Sequence, residues 1–468
     1  MRFGNRFMRL RQTTRFLTID ILCKWEKSAK PIDLILDQVL RNTRFADPRD
    51  RDMVFAMVYG TIRWRGYLDW ILAKFSRHSL QKMKNRTLQA LRVGLFQIIF
   101  MDRVPNSAAI DETIEALKAA KQPKWLTGFA NGLLRTIARK KKELHDPRYD
   151  EEDLPDIARL SHPEWLLDRW RKRYGRKQTT NICMLNNTSP PLFLRVNTRM
   201  TTVEELLSRL TEAKISAQPG SFAPEAIRLS NYKGLIQDLP GYTGGSFQVQ
   251  NEAAQLISLL LQPLLPGRVY LDSCAGLGGK ASHLAQMLPN IIPQERIRPI
   301  VAVEPSKTRL RQLKENLKRL KLAPQVEVIH DKLENLQRKD ASLFAGVLMD
   351  VPCSGLGVIR RHPDIRWNRT PGDLLRYQKI QLALLESAAC LVAPGGVLVY
   401  ATCSMEPEEN DEVVARFCAK HHDFALTPCS DYLPPAAAGL VDEFGYFRTI
   451  PDKEGLDGFF AARLTKKI

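Results

Sequence analysis

At 468 residues the chain is too long for one ordinary hydrophobic core, so two or three domains are expected. Its hydrophobic content of 44% is that of a globular protein, and the longest apolar run, Leu256 to Leu265, is too short and interrupted to span a bilayer. The net charge of +19 is uneven: residues 1–150 hold 30 Lys+Arg against 15 Asp+Glu, residues 151–468 hold 40 against 36. A basic module is therefore joined to a nearly neutral one, which points to a polyanionic partner, nucleic acid before a merely solvated face, docked mainly through the first part.

The first nineteen residues carry five Arg and no acid. They read as the basic tail of a cytoplasmic protein, since Arg15 to Ile19 already merges with the periodicity of a first helix. From Arg15 to Lys142 the apolar residues recur at helix spacing, as in Ile32, Leu36, Val39 and Leu40 and again in Met53, Val54, Met57 and Val58. Residues 1–145 are thus expected to form an all-helical bundle, closed by a linker at Lys140 to Pro147.

Residues 146–240 read as a small α+β module. It opens with an amphipathic helix around Trp165, Leu166 and Trp170 and a basic run from Arg171 to Lys177, followed by a strand at Leu192 to Asn197 and a helix at Val203 to Leu210. From residue 241 to 468 strands and helices alternate, the pattern of a doubly wound parallel α/β sheet. The expected strands are Val269–Asp272, Ile300–Val303, Val326–Ile329, Gly346–Met349, Val397–Ala401 and Gly458–Ala462, with Pro394-Gly395-Gly396 turning into the fifth. Helices are expected at Lys307–Leu320 and Asp373–Leu391.

Such sheets place their chemistry in the loops after the strands. The first loop, Cys274-Ala275-Gly276-Leu277-Gly278-Gly279-Lys280, lets the backbone approach a ligand closely and opens a helix. Gly276, Gly278 and Ala281 satisfy a dinucleotide fingerprint, a weak signal alone, and no Walker loop is present. Glu304, Asp331 and Asp350 close the next three strands. Each alone could be a helix N-cap, but three acids above a glycine-rich loop describe a site for S-adenosylmethionine. Cys353 and Cys403 each follow an apolar strand, and each is followed by Ser. Two thiols beside Asp350 suit a reaction in which a covalent bond to the enzyme is made and then broken. The eight cysteines include no C-x-x-C pair, and no H-E-x-x-H occurs, so no metal is expected and the thiols read as reduced. Arg360, Arg361, Arg366 and Trp367 follow Cys353 closely and mix charge with an aromatic, as backbone clamping and base stacking on RNA would need. The alternative for Trp367 is packing under the sheet.

Read together, the stretches Gly245–Glu252, Cys274–Lys280, Asp350–Gly357, Arg361–Trp367, Tyr400–Ser404 and Asp457–Phe460 resemble the RNA cytosine-5 methyltransferases, specifically the bacterial ribosomal small subunit methyltransferase B group (Sun or Fmu). The resemblance spans nearly the whole chain, its helical first part being similar to the NusB-like RNA-binding domain of that group. It implies a Rossmann-like S-adenosylmethionine-dependent methyltransferase domain, 16S ribosomal RNA as partner, and cofactor contacts from Cys274 to Lys280, Glu304, Asp331 and Asp350; a monomer is expected. It also implies that Cys403 is the nucleophile and that Cys353 helps release product; the residues alone leave that choice open. The chemistry agrees: C5 of cytosine takes a methyl group only after a thiolate has added to C6, and the base must be unstacked to meet it. Two departures stand out. Leu277 replaces the family's usual proline, which frees φ there, and Glu304 replaces the commoner Asp. The competing readings are a non-catalytic RNA-binding antitermination-type factor and a nicotinamide-dependent oxidoreductase.

Overall fold

The computed structural model of the protein describes residues 13–28, 30–43, 45, 47–148, 154–289, 299–336 and 343–468. Most of the expected basic tail lies outside the described residues. The chain divides into two units, residues up to Ser189 with Ile359–Arg369, and Pro190–Val358 with Thr370–Ile468.

The first unit is helical, as the 3.6-residue periodicity predicts: α1 (Thr14–Lys27), α2 (Ile32–Arg41), α3 (Pro48–Arg63), α4 (Arg65–Phe75), α5 (Asn85–Phe100), α6 (Asn106–Ala119) and α7 (Lys124–Arg139). Their apolar stripes meet in one core that includes Ile21, Leu22, Leu68, Leu95, Leu117 and Leu134. A longer helix, α8 (Glu164–Asn186), follows and breaks at Gly175, whose φ of +75° no β-carbon-bearing residue adopts cheaply.

Residues 359–369 pack within this unit, and here the structure corrects the sequence reading. Arg366 is fully buried, donating to the carbonyls of Ser161 (3.0 Å) and Asn186 (3.0 Å) and to Asn187 Oδ1 (2.7 Å). Trp367 donates its indole N–H to the Ile62 carbonyl (2.8 Å) and packs on the helical core, with the Arg65 guanidinium 5.3 Å from its ring centre. Arg360 is 8% exposed and reaches the Ser189 carbonyl (3.3 Å). Arg366 and Trp367 are therefore not the exposed clamp expected after Cys353. A guanidinium whose donors meet carbonyls can be buried at tolerable cost. Arg361 is half-buried in the same segment.

The second unit contains two sheets. The smaller is antiparallel, ordered β2 (Ala217–Pro219), β3 (Ala226–Leu229), β1 (Leu192–Val196), β4 (Phe247–Val249), and is backed by α9 (Val203–Glu212), whose start is fixed by a Thr202–Glu205 capping box. The larger runs β10 (Phe424–Thr427), β12 (Phe460–Lys466), β9 (Val392–Thr402), β8 (Phe344–Asp350), β5 (Tyr270–Asp272), β6 (Ile300–Val303), β7 (Val326–Ile329), with β11 (Phe447–Arg448) paired to β12. Its strands β5 to β9 are parallel, but β12 runs against them and pairs antiparallel with β9, β10 and β11, so the sheet is mixed rather than wholly parallel. Hydrogen-bonding direction leaves no trace in side-chain periodicity, which is why the sequence did not reveal it. Pro394-Gly395-Gly396 lies inside β9 as an irregularity, since Val392 pairs with Phe344 and Val397 already with Gly346.

Alternate residues face two cores. Tyr270, Ala302, Leu348 and Val399 point to the side packed by α10 (Glu252–Leu259), α11 (Gly279–Met287) and α12 (Lys307–Arg319); Leu271, Val301, Val347 and Leu398 point to the side packed by α13 (Pro371–Ala389) and α14 (Asp411–Lys420). Burial on both faces explains the near-continuous apolar strands. Chain order reverses between β5 and β8, the crevice where open α/β sheets bind ligands.

Candidate active site

Parallel pairing of β8 with β9 sets Asp350 opposite Ala401, so the loops leaving the two strands begin side by side. Cys353 and Cys403 meet there, with Sγ to Sγ 3.2 Å. That is well beyond a covalent bond of ~2.05 Å and suits an S–H to sulfur hydrogen bond. Both are free and half-buried. The Cys353 thiol is held well above its ordinary range by the hydrogen bond to Cys403, then by burial and by the charges of Cys403, Glu409 and Asp350.

The approach of the two loops requires glycine. The Gly357 amide donates to the Cys403 carbonyl (3.0 Å), and the Gly458 amide donates to the Gly357 carbonyl (2.8 Å). A β-carbon on Gly357 would fall 2.0 Å from the Gly458 oxygen. This contact accounts for Gly357 and Gly458, each in one of the six stretches quoted above.

Beneath the sulfurs lies a group the sequence reading missed. The serines that follow the cysteines both donate to Glu409 Oε2, each at 2.5 Å, and lie 3.2 Å from each other. Glu409 Oε1 accepts from the Ser354 amide (2.7 Å) and Gln381 Nε2 (3.2 Å). The Tyr400 hydroxyl holds the Glu409 carbonyl at 2.6 Å, and Asn410 ties Thr402 to the Ser404 carbonyl. Burial pushes the Glu409 carboxyl above its usual range against the pull of these hydrogen bonds. The repeated Cys-Ser was visible in the sequence. Its shared partner, one of three acids in Glu406–Glu409, was not.

On the other side of the crevice the loop after β5 adopts the expected shape. Gly276 (φ +56°) and Gly278 (φ +84°) are left-handed, and Gly278 serves as N-cap of α11. Among the described residues nothing lies within 4 Å of where a Gly276 β-carbon would be, so a ligand meets bare backbone. The Leu277 carbonyl accepts from Asn316 Nδ2 (3.0 Å), which restrains a loop that lacks proline. Arg195, buried in β1, donates to the Gly279 carbonyl (2.6 Å) and Ser282 Oγ (2.8 Å), fixing the first turn of α11; periodicity gave no hint of this either. Lys280, 8% exposed at its side chain, reaches across the switch point to Asp350 Oδ2 at 2.5 Å. Glu304 Oε1 accepts from the Ser306 amide (2.7 Å). Asp331 Oδ1 accepts from the Lys332 amide (2.7 Å) and Asn335 Nδ2 (2.8 Å), so that oxygen serves as a local cap and Oδ2 remains for a ligand. Burial pushes the Cys274 thiol up to about 12, which suits packing rather than chemistry. The bare-backbone loop and the carboxylates at successive strand ends fit a nucleoside sulfonium.

Asp272 lies buried under the loop at the end of β5. Desolvation raises its carboxyl from 3.8 to about 7, outweighing the charge of Lys280. The folded chain keeps this proton over a range in which the unfolded chain loses it, so the stabilisation is complete below the unfolded value and is lost as pH rises through about 7. We expect thermal stability without ligand to decline over this window at up to about 1.4 kcal/mol per pH unit. Asp272→Asn should therefore gain on the parent protein between pH 5 and pH 8. Parallel melting curves would refute the assignment.

No helix among the described residues is long and apolar enough to cross a membrane, and no metal-binding cluster occurs among them.

Comparisons with known proteins identify the family and the fold. The family described as 16S rRNA methyltransferase RsmB/F matches residues 258–465, the NusB family matches 12–139, and the ferredoxin-like domain of the RsmF/B-like methyltransferases matches 162–234. The chain is 32% identical over 463 residues to the probable ribosomal RNA small subunit methyltransferase B of Bacillus subtilis (strain 168), covering 97% of this chain and 99% of the relative. It is 34% identical over 447 residues to the ribosomal RNA small subunit methyltransferase B of Yersinia enterocolitica, covering 94% and 98%. The solved structure titled "Crystal Structure of PH0851" shares its fold, with a TM-score of 0.77 at 24% identity over 97% of this chain and 99% of that one. A nicotinamide-dependent reaction finds no support in these matches. The chain belongs to the 16S rRNA methyltransferase RsmB/F family, whose members draw their methyl group from S-adenosylmethionine.

Proposed function

We propose that the protein methylates C5 of a cytosine in 16S ribosomal RNA, in the cytoplasm, through a covalent adduct between Cys403 and C6 of the base. The observation that carries this reading is the pair of thiols 3.2 Å apart at the ends of adjacent parallel strands, beside Asp350 and Lys280.

An ordinary cysteine is only about 3% ionised at pH 7, so the site must favour one thiolate over two. Cys353, held protonated by its raised pKa, donates its S–H to Cys403 and supports the charge there. The Cys403 thiolate adds to C6, the C5–C6 double bond opens, and C5 becomes nucleophilic. Asp350, oriented by Lys280, accepts from the exocyclic amino group as the ring is attacked. Bound S-adenosylmethionine supplies the methyl group as a sulfonium, and Cys274 to Lys280 with Glu304, Asp331 and Asp350 would hold it. After methylation the C5 proton leaves to water, the C6–sulfur bond breaks and the double bond returns. Cys353 donates its hydrogen bond to the departing sulfur.

Without that donor expulsion should slow. Cys353→Ala is expected to accumulate a covalent protein–RNA adduct during turnover, visible as a slowed band on a denaturing gel. Absence of that band with an otherwise active variant would remove Cys353 from product release. Bisulfite sequencing of the product RNA tests the position of the methyl group, and a methyl group anywhere but C5 would overturn the reading.

A further inference from the structure

The outer face of α7 has no task in the chemistry above. Its inner face is already filled by Leu126, Ala130, Leu133, Leu134 and Ile137. Trp125, in the first turn, is nevertheless 70% exposed. Phe129, four residues on and so on the same ridge, is half-buried, and the exposed His78 ring meets it edge-on with centres 5.3 Å apart. An aromatic row thus lies open on the surface.

Charge surrounds the row. From Lys121 to Lys142 the chain has seven Lys or Arg and no acid. Asp111 reaches Arg135 (3.2 Å) and Glu143 reaches Lys140 (3.6 Å). Among the described residues no ion pair involves Arg77, Lys121, Lys124 or Arg139. Next to Trp125 on the same face stand Gly128 and Gly132, and a β-carbon at either would meet nothing within 4 Å. Each glycine costs an exposed helix about 1 kcal/mol relative to alanine, and no packing among the described residues explains either. Bare helix backbone instead allows a partner's backbone to come close beside the indole.

We propose that this face is a docking surface for an unpaired segment of the substrate RNA, with Trp125 stacked on a base and Arg77, Lys121 and Lys124 against the neighbouring phosphates. Stacking on an exposed aromatic within a basic rim is how single strands are held without sequence readout. The proposal rests on small-subunit ribosomal RNA being the substrate and adds where, outside the catalytic cleft, it is held.

The test uses the full chain and a labelled 16S RNA fragment containing the methylated cytosine. Trp125→Ala should raise Kd and KM for RNA about tenfold, with kcat changed less than twofold. Lys121→Gln with Lys124→Gln should lower the slope of log affinity against log salt by about 1.4. Gly128→Leu should raise the melting temperature while weakening RNA binding, which a purely structural role would not do. Leu34→Ala, at an exposed apolar position on α2, should bind as the parent protein does. If RNA affinity stays within twofold in the Trp125, lysine and Gly128 variants while methylation proceeds, this surface is overturned and the reaction stands. A parent protein that neither binds nor methylates the fragment would instead overturn the assignment of substrate.

Discussion

Cys403→Ala should abolish methyl transfer to small-subunit RNA, lowering kcat by roughly 10⁴-fold or more, the scale on which covalent enzymes lose activity with their nucleophile. The reason is electronic. C5 of cytosine becomes a nucleophile only when a thiolate has added at C6, and no neighbouring group can take over that addition. Cys353 is near enough, but it follows β8 by three residues where Cys403 follows β9 by one, so its sulfur is carried by a different loop. The substitution removes one half-buried sulfur, so folding and cofactor binding should survive. Loss of turnover with retained S-adenosylmethionine affinity is the expected pair of results. Methylation at the parent rate would take Cys403 out of the reaction. Opposite behaviour of the two cysteine variants, no adduct for Cys403→Ala and a trapped one for Cys353→Ala, would separate nucleophile from release group in a single gel.

The second large effect concerns Glu409, a positioning residue that acts through the two serines. Its carboxyl gathers two hydroxyls, one amide N–H and one side-chain amide within a buried space. Glu409→Ala would orphan these donors, each worth roughly 1–3 kcal/mol when left buried and unsatisfied, so a destabilisation of about 3 kcal/mol or more is expected. The kinetic consequence is more specific. Because each serine is the residue after a cysteine, slack in the clamp reaches the sulfur separation directly, and a misplacement of about 1 Å can cost 100-fold. Glu409→Gln keeps the shape and one acceptor but forces the serine hydroxyls to reverse. It should retain most of the stability, lower kcat about tenfold and leave KM for RNA and for S-adenosylmethionine within twofold. A stably folded Glu409→Ala protein with the parent kcat would show that the sulfurs keep their spacing without it.

Legibility from the sequence followed the range of the interactions involved. The helical first part is evident because Ile32, Leu36 and Val39 repeat with the period of a single helix, and strand β6 is legible to the residue because Ile300–Val303 is buried along its whole length. The antiparallel course of β12 was hidden, since Phe460 to Lys466 alternates the same way in either direction. An arginine beside a tryptophan has the composition of an RNA contact, so the sequence alone makes Arg366 a surface clamp. Its burial depends on carbonyls about 180 and 205 positions away.

By itself the sequence determined the helical and α/β character of the two halves, the strand ends that carry the thiols and acids, and the family, because propensity, periodicity and motif are properties of neighbouring residues. Only the tertiary structure decided that sulfurs 50 residues apart stand 3.2 Å from each other, that one buried carboxyl holds both of their loops, and that Arg366 is interior. Those facts depend on strand pairing and on which carbonyls a fold leaves to be satisfied, and neither is written in any short stretch of chain.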